Sequence, residues 1–221
     1  MTDAPPALRI AFAPGVTVGK WTSRWQERHP ELPLEVFPAE EADGVAVLTD
    51  GRASLSFVRL PIERVGLSVI RLYGEIPVLV VPRDSDLADL EVVTESRVAG
   101  LPQVATYSPE RAVKDAVALV AAGVGFLRLP HSIARLHARK DVVAVPIEGG
   151  TETEIAICWQ ADQNTEAVEE FVGIVRGRTA ASSRAVPTPP TERPKRVAKA
   201  PSTPKRRTTK RPRQGGKRKG R

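Results

Sequence analysis

Residues 112–130 read AVKDAVALVAAGVGFLRLP, and their reading decides the fold. Ala112, Val113, Ala116, Val117 and Val120 recur at helical spacing and form one apolar stripe. Upstream, Ser108 is placed to cap that helix, with Pro109 at its first position. Gly123 supplies a left-handed stop. Gly125–Leu129 then reads as a short buried strand, closed by Pro130. A helix, a glycine turn, a strand and a new helix in so short a span predict a compact αβα unit, with its two glycines allowing close backbone approach.

The chain on either side extends this pattern. Leu8–Ala13 is an apolar strand broken by Pro14-Gly15. Thr17 is placed to cap a helix in which Val18, Trp21, Thr22 and Trp25 share a face. Pro30 stops it, and Leu34–Phe37 is a second strand. Strand, helix, strand predicts a parallel βαβ unit. A short helix over Asp43–Asp50 and a third strand over Ala53–Val58 follow. Leu67–Tyr73 and Pro77–Pro82 read as strands, and Arg83–Gly100 is polar and weakly patterned. Val104–Tyr107 is expected as a strand before the 109–121 helix. After Pro130, Ile133 and Leu136 mark a short helix, and Val142–Ile147 a strand. Glu154–Trp159 alternates and is expected to pair antiparallel with Val78–Val81. A last helix, capped by Asn164 or Thr165, carries Val168, Phe171, Val172 and Val175 on one face.

Leu119–Pro130 resembles the LVAAGxGxxxLP segment of the effector-binding domain of LysR-type transcriptional regulators, and a looser similarity runs from Leu8 to about Arg178. That resemblance implies an α/β, two-lobe, periplasmic-binding-protein-like (type 2) fold with parallel or mixed sheets. It divides the chain into lobe I (8–74 with 162–179), lobe II (75–161) and a tail (180–221). The family has a longer segment where this chain has Arg83–Gly100, so a shortened second lobe is expected. Family regulators carry a winged helix-turn-helix before the strand matched here by Leu8–Ala13; only seven residues precede it. The expectation is therefore an effector-binding module without its DNA-reading head, able to form a homodimer or to pair with a full-length regulator.

The formal charge of +7 conceals a division. Arg184–Arg221 holds fifteen Lys and Arg against one acid, Glu192, so a +14 segment follows a −7 remainder. Pro, Thr, Ser, Lys and Arg dominate from Ala180 onward, a composition too poor in apolar surface to offset ordering entropy, and disorder is predicted. Its basic clusters are Lys195 and Arg196, Lys205 with Arg206 and Arg207, Lys210 and Arg211, and Lys217 with Arg218 and Lys219. They can neutralise nucleic-acid phosphates without reading bases. A solubilising tail, an anionic-membrane contact and a tether to the acidic body remain alternatives.

Ligands of open α/β sheets bind at the carboxyl ends of strands. Gly15, Val16 and Thr17 sit there; free N–H groups at the helix start favour an anion, and Thr17 can add a hydrogen bond or simply cap. The resemblance places the effector, often a carboxylate, against this same turn. Arg59 and Leu60 end the third strand; Arg59 can grip a carboxylate through two bonds, or pair with Glu63 at the surface. Thr106 and Phe126 are the second-lobe counterparts, although a buried aromatic in an apolar strand such as Phe126 is more often core, and Lys20 is placed to face either the cleft or solvent.

No GxSxG elbow, phosphate loop or metal-ligand spacing occurs, and Gly123-Val124-Gly125 precedes a strand where a dinucleotide fingerprint would follow one. Neither an enzyme nor a cofactor is expected. Cys158, the sole cysteine, reads as a small core residue and excludes an intrachain disulfide. No signal-peptide pattern and no long apolar run is present, which suggests a cytoplasmic protein without a membrane partner. The second functional reading is a non-catalytic nucleic-acid-associated protein whose globular part is a dimerisation module.

Overall fold

The computed structural model describes residues 7–104 and 109–178. Two mixed sheets, each with helices on both faces, form the two lobes. The first sheet takes β1 (Leu8–Phe12), β2 (Leu34–Pro38), β3 (Leu55–Arg59), β4 (Leu67–Glu75) and β9 (Thr153–Gln160), in the order β2-β1-β3-β9-β4. The second takes β5 (Pro77–Pro82), β6 (Val93–Thr94), β7 (Leu127–Pro130) and β8 (Val142–Glu148), in the order β6-β8-β5-β7.

The expected βαβ unit is present. β1 runs parallel to β2 and to β3, and α1 (Gly19–Arg28) makes the first crossover. Alternation explains why the strands read as continuous apolar runs: both faces are covered. Leu8 and Ile10 of β1, Leu55 and Phe57 of β3, and Ile155 and Ile157 of β9 face α1 and α6 (Glu166–Val175). Ala11, Val58, Ala156 and Cys158 face the opposite way, toward α2 (Ala46–Thr49). Trp21 stacks on Phe57 at 5.0 Å, and Phe171 of α6 meets Phe57 edge-on and Trp25 at a tilt of 56°. The short helix expected over Asp43–Asp50 is divided into a 3-10 turn (Glu41–Asp43) and α2, which Gly51 closes with a positive φ of 67°.

In lobe II the apolar stripe of 112–120 is the buried face of α4 (Pro109–Ala121): Ala116, Val117 and Val120 pack on Val78, Val80, Leu127 and Leu129. Gly123 ends α4 at φ 77°, and a Cβ on Gly125 would lie 2.8 Å from the Pro102 carbonyl oxygen. That approach lets the Phe126 N–H donate to Pro102 (2.9 Å) and the Val104 N–H donate to Phe126 (2.7 Å). The expected cap Ser108 and most of the expected strand Val104–Tyr107 lie outside the described residues. Arg83–Gly100 contributes only β6 and α3 (Glu95–Ala99), and α5 (His131–Leu136) follows β7 directly.

One pairing differs from expectation. β9 does not join β5; it lies antiparallel between β3 and β4 in the first sheet, with Cys158 opposite Ser56 and Val69. The second sheet instead closes on β5 with β7 and β8, both antiparallel to it. The chain therefore crosses back between Glu148 and Thr153, ahead of the expected 161–163. The unbroken apolar run Ile155–Trp159 announces a strand buried on both faces, and nothing in that pattern distinguishes one sheet from the other.

Candidate functional site

Three features meet where the carboxyl ends of β1 and β3 face lobe II: the turn 13–17, the crossover at Tyr73–Ile76, and α5. The turn begins at Pro14-Gly15, with Gly15 at φ 79°. Val16 is buried in the lobe I core. The N-cap of α1 is Val18, without a side-chain bond, so Thr17 does not cap this helix. The exposed Thr17 hydroxyl instead accepts from Arg135 Nη2 of α5 at 3.3 Å, and the same nitrogen lies 3.5 Å from the Gly15 carbonyl oxygen.

Arg59 is neither exposed nor paired with Glu63. It is 6% accessible, and two arms of its guanidinium donate hydrogen bonds within the protein. Nε donates to Glu75 Oε2 at 2.8 Å. Nη2 donates to the Pro14 carbonyl and to Ser132 Oγ, each at 3.2 Å. Nη1 lies 3.3 Å from Glu41 Oε2, too poorly aligned for a hydrogen bond. Thr153 Oγ1 donates to Glu75 at 3.4 Å, so both crossovers reach the same carboxylate.

Beside this cluster opens a cavity of about 430 Å³. Lys20 enters its wall from lobe I and Arg135 from lobe II, with Trp21, Tyr73, Ile76 and His131 between them. Its one carboxylate, Glu75, is already bonded to Arg59. The wall is thus apolar and aromatic with an excess of positive charge. Lys20 Nζ stands 4.3 Å above the Trp21 ring, a cation–π arrangement that holds the ammonium at the cavity edge. Burial, and then the negative charge of Glu75, push the Tyr73 hydroxyl above its ordinary range.

Of the residues selected from sequence, Gly15 and Thr17 line this cavity, and so does Lys20. Leu60 packs on the outer core of lobe I, and Phe126 on the lobe II core beside α3. Arg128, next to Phe126, makes two bonds to Glu95, at 2.7 and 2.6 Å. Thr106 and all ten basic residues selected in the tail lie outside the described residues. Sequence reading passed over Glu75, Ser132 and Arg135. Glu75 had a signal: it is the sole acid in the run Leu67–Pro82. Ser132 and Arg135 are three apart on α5 and therefore share a face.

Among the described residues no three His, Cys, Asp or Glu side chains cluster as metal ligands, and no helix is long and apolar enough to cross a membrane. Cys158 is buried, and burial raises its thiol pKa to about 12.

Two α/β lobes joined by crossover strands, with a cavity at their junction, define the type 2 periplasmic-binding-protein-like class of ligand-binding domain. Within that class, the LysR substrate binding domain family matches residues 4–118 and 112–180, and the chain belongs to it. Its fold is similar to that of the BenM effector binding domain with its effector benzoate (TM-score 0.63, 18% identity, 82% of this chain and 95% of that one). It is also similar to the reduced form of OxyR (TM-score 0.65, 19% identity, 78% and 95%). A Corynebacterium glutamicum OxyR mutant aligns at TM-score 0.63 and 18% identity, over 77% and 63%. No curated protein matches.

Proposed function

We propose that this domain senses a small organic anion in the cavity between its lobes, in the service of transcriptional regulation. The observation that carries the reading is the convergence of Lys20 and Arg135, from opposite lobes, on a cavity whose wall also presents Trp21, Tyr73 and Ile76, its one carboxylate, Glu75, being taken by Arg59. A carboxylate between the two cations gains charge-assisted bonds, while its apolar body meets the rings. Because the two cations belong to different lobes, an anion between them favours the closed arrangement, and its signal is a shift in the lobe equilibrium. The benzoate held by the BenM domain is a ligand of this chemistry. The +14 segment Arg184–Arg221 would hold the sensor near nucleic acid through phosphate contacts alone.

Thermal denaturation with a panel of small carboxylates and their neutral amides, benzoate and benzamide among them, tests the cavity. At 100 times Kd a ligand of the native state adds about 2.7 kcal/mol of stability. The carboxylates are expected to raise Tm and the amides not to. Lys20→Gln or Arg135→Gln should abolish the rise. Equal shifts from acid and amide, or none from any member, would overturn the reading.

A further inference from the structure

We propose that Arg59 is an internal latch between the lobes, a positioning residue that governs cleft opening without touching a bound molecule. Its guanidinium, on a residue 6% accessible, meets four separate parts of the chain. It holds the crossover through Glu75, the β1 turn through the Pro14 carbonyl and lobe II through Ser132 Oγ, and stands within ion-pair distance of Glu41 on the 3-10 turn without a hydrogen bond to it. Each partner is a protein atom, so the latch depends on no ligand. A buried ion pair is seldom a source of stability compared with apolar side chains of similar size. What the Arg59–Ser132 bond supplies is a fixed position, since it can form only when α5 rests on the turn 13–17.

Gly15 makes the same point by shape. A Cβ there would stand 2.8 Å from Ser132 Oγ and 3.0 Å from the Ser132 carbonyl carbon. The turn and the start of α5 are in direct contact, and Arg59 is the charged group behind that contact. The link from Arg135 to Thr17 spans the same gap at the exposed edge, where bonds between the lobes compete with water. The half-buried arm from Arg59 to Ser132 is the one that sets closure.

The experiment measures an interlobe distance in the full chain without ligand. Spin labels are placed by Arg52→Cys in lobe I and Lys140→Cys in lobe II, both exposed; Cys158 is buried and stays unlabelled. The unaltered latch should give one narrow distance distribution. Ser132→Ala removes the arm to lobe II and leaves the Arg59–Glu75 pair in place, so folding is preserved. It should raise the open-to-closed ratio roughly tenfold or more, the equivalent of one hydrogen bond to a charged group. Arg135→Ala should leave the distribution nearly unchanged. A wild-type distribution in Ser132→Ala overturns the latch, as does a mainly open population in the parent.

The effect on affinity rests on the reading of the cavity as an effector site. If both hold, Ser132→Ala weakens carboxylate binding by at least the factor by which it depletes the closed form, since Ser132 also lines the cavity. Altered distances with no carboxylate binding by either protein would sink the effector reading and leave the latch standing.

Discussion

Tyr73 shows how one residue reports on the junction of the lobes. Burial disfavours its phenolate, and Glu75 nearby disfavours it further, while Arg59 and Arg135 partly oppose this. The folded pKa therefore lies above the ordinary tyrosine value of 10.0. Protons are held more tightly in the native state, so the Tyr73 contribution to stability is complete below pH 10. It is lost as the pH rises from there through the folded pKa. The chain has two tyrosines, Tyr73 and Tyr107. Absorbance titration at 295 nm should show a late component above pH 10 that Tyr73→Phe removes. Arg135→Gln should move that component later still, because it withdraws a charge that favours the phenolate. Glu75 invites the complementary change. Glu75→Gln leaves the buried Arg59 without its countercharge, and loss of one member of such a pair costs about 3–5 kcal/mol. Urea unfolding should show that loss, whereas an equivalent change at the exposed Glu35, paired with Arg9, should cost under about 1 kcal/mol.

At the scale of elements, α6 shows what a cap contributes. Thr165 Oγ1 accepts from the Val168 N–H at 3.3 Å, and the helix presents Val168, Phe171 and Val172 to the lobe I core. Thr165→Ala should cost about 1 kcal/mol by denaturant midpoint with an unchanged m-value, and Thr165→Gly less. The apolar face of α6 was legible in the sequence, as was its cap to within Asn164 or Thr165, and so were β5 between its two prolines and the stripe of α4. Each is local, written in the spacing of a few side chains. The partner of β9 was not. Ile155, Ile157 and Trp159 on one face and Ala156 and Cys158 on the other mark a strand buried on both sides, with no word on its neighbours. The site divided along the same line. Gly15 and Thr17 were legible because a strand followed by a Pro-Gly turn and a helix fixes where the open end of a sheet lies. The burial of Arg59 was not, because its countercharge stands on another strand and its lobe II acceptor follows 73 residues later. Thr17 failed as a cap for a related reason: α1 starts beyond Val18, and the hydroxyl is taken by Arg135.

On the scale of the whole molecule, the charges point in two directions. The residues before Arg184 carry −7 and those from Arg184 onward +14, so a polyanion meets opposite responses from the two parts. An acidic body is repelled by duplex DNA and weakens nonspecific contact, while a dense basic segment releases counterions from the phosphates it neutralises. The salt dependence of binding separates these effects. With the full chain and duplexes of unrelated sequence, log K should fall linearly with log salt, with a slope of about −0.9 for each phosphate neutralised. Replacing Lys205, Arg206, Arg207, Lys210 and Arg211 together by Gln removes five charges and leaves the two lobes untouched. The slope should become shallower by about 4.5 if all five contact phosphates. Affinity should fall alike on every sequence, because phosphate contacts carry no base information. An unchanged slope would mean that these clusters do not face nucleic acid, and a fall confined to one sequence would mean that the segment reads bases. A carboxylate effector should leave the slope where it was: closing two lobes alters the shape of the body and not the number of cations beyond Arg184. If effector addition did change the slope, the lobe equilibrium and the basic segment would be coupled, and the domain would transmit its signal through its own charge.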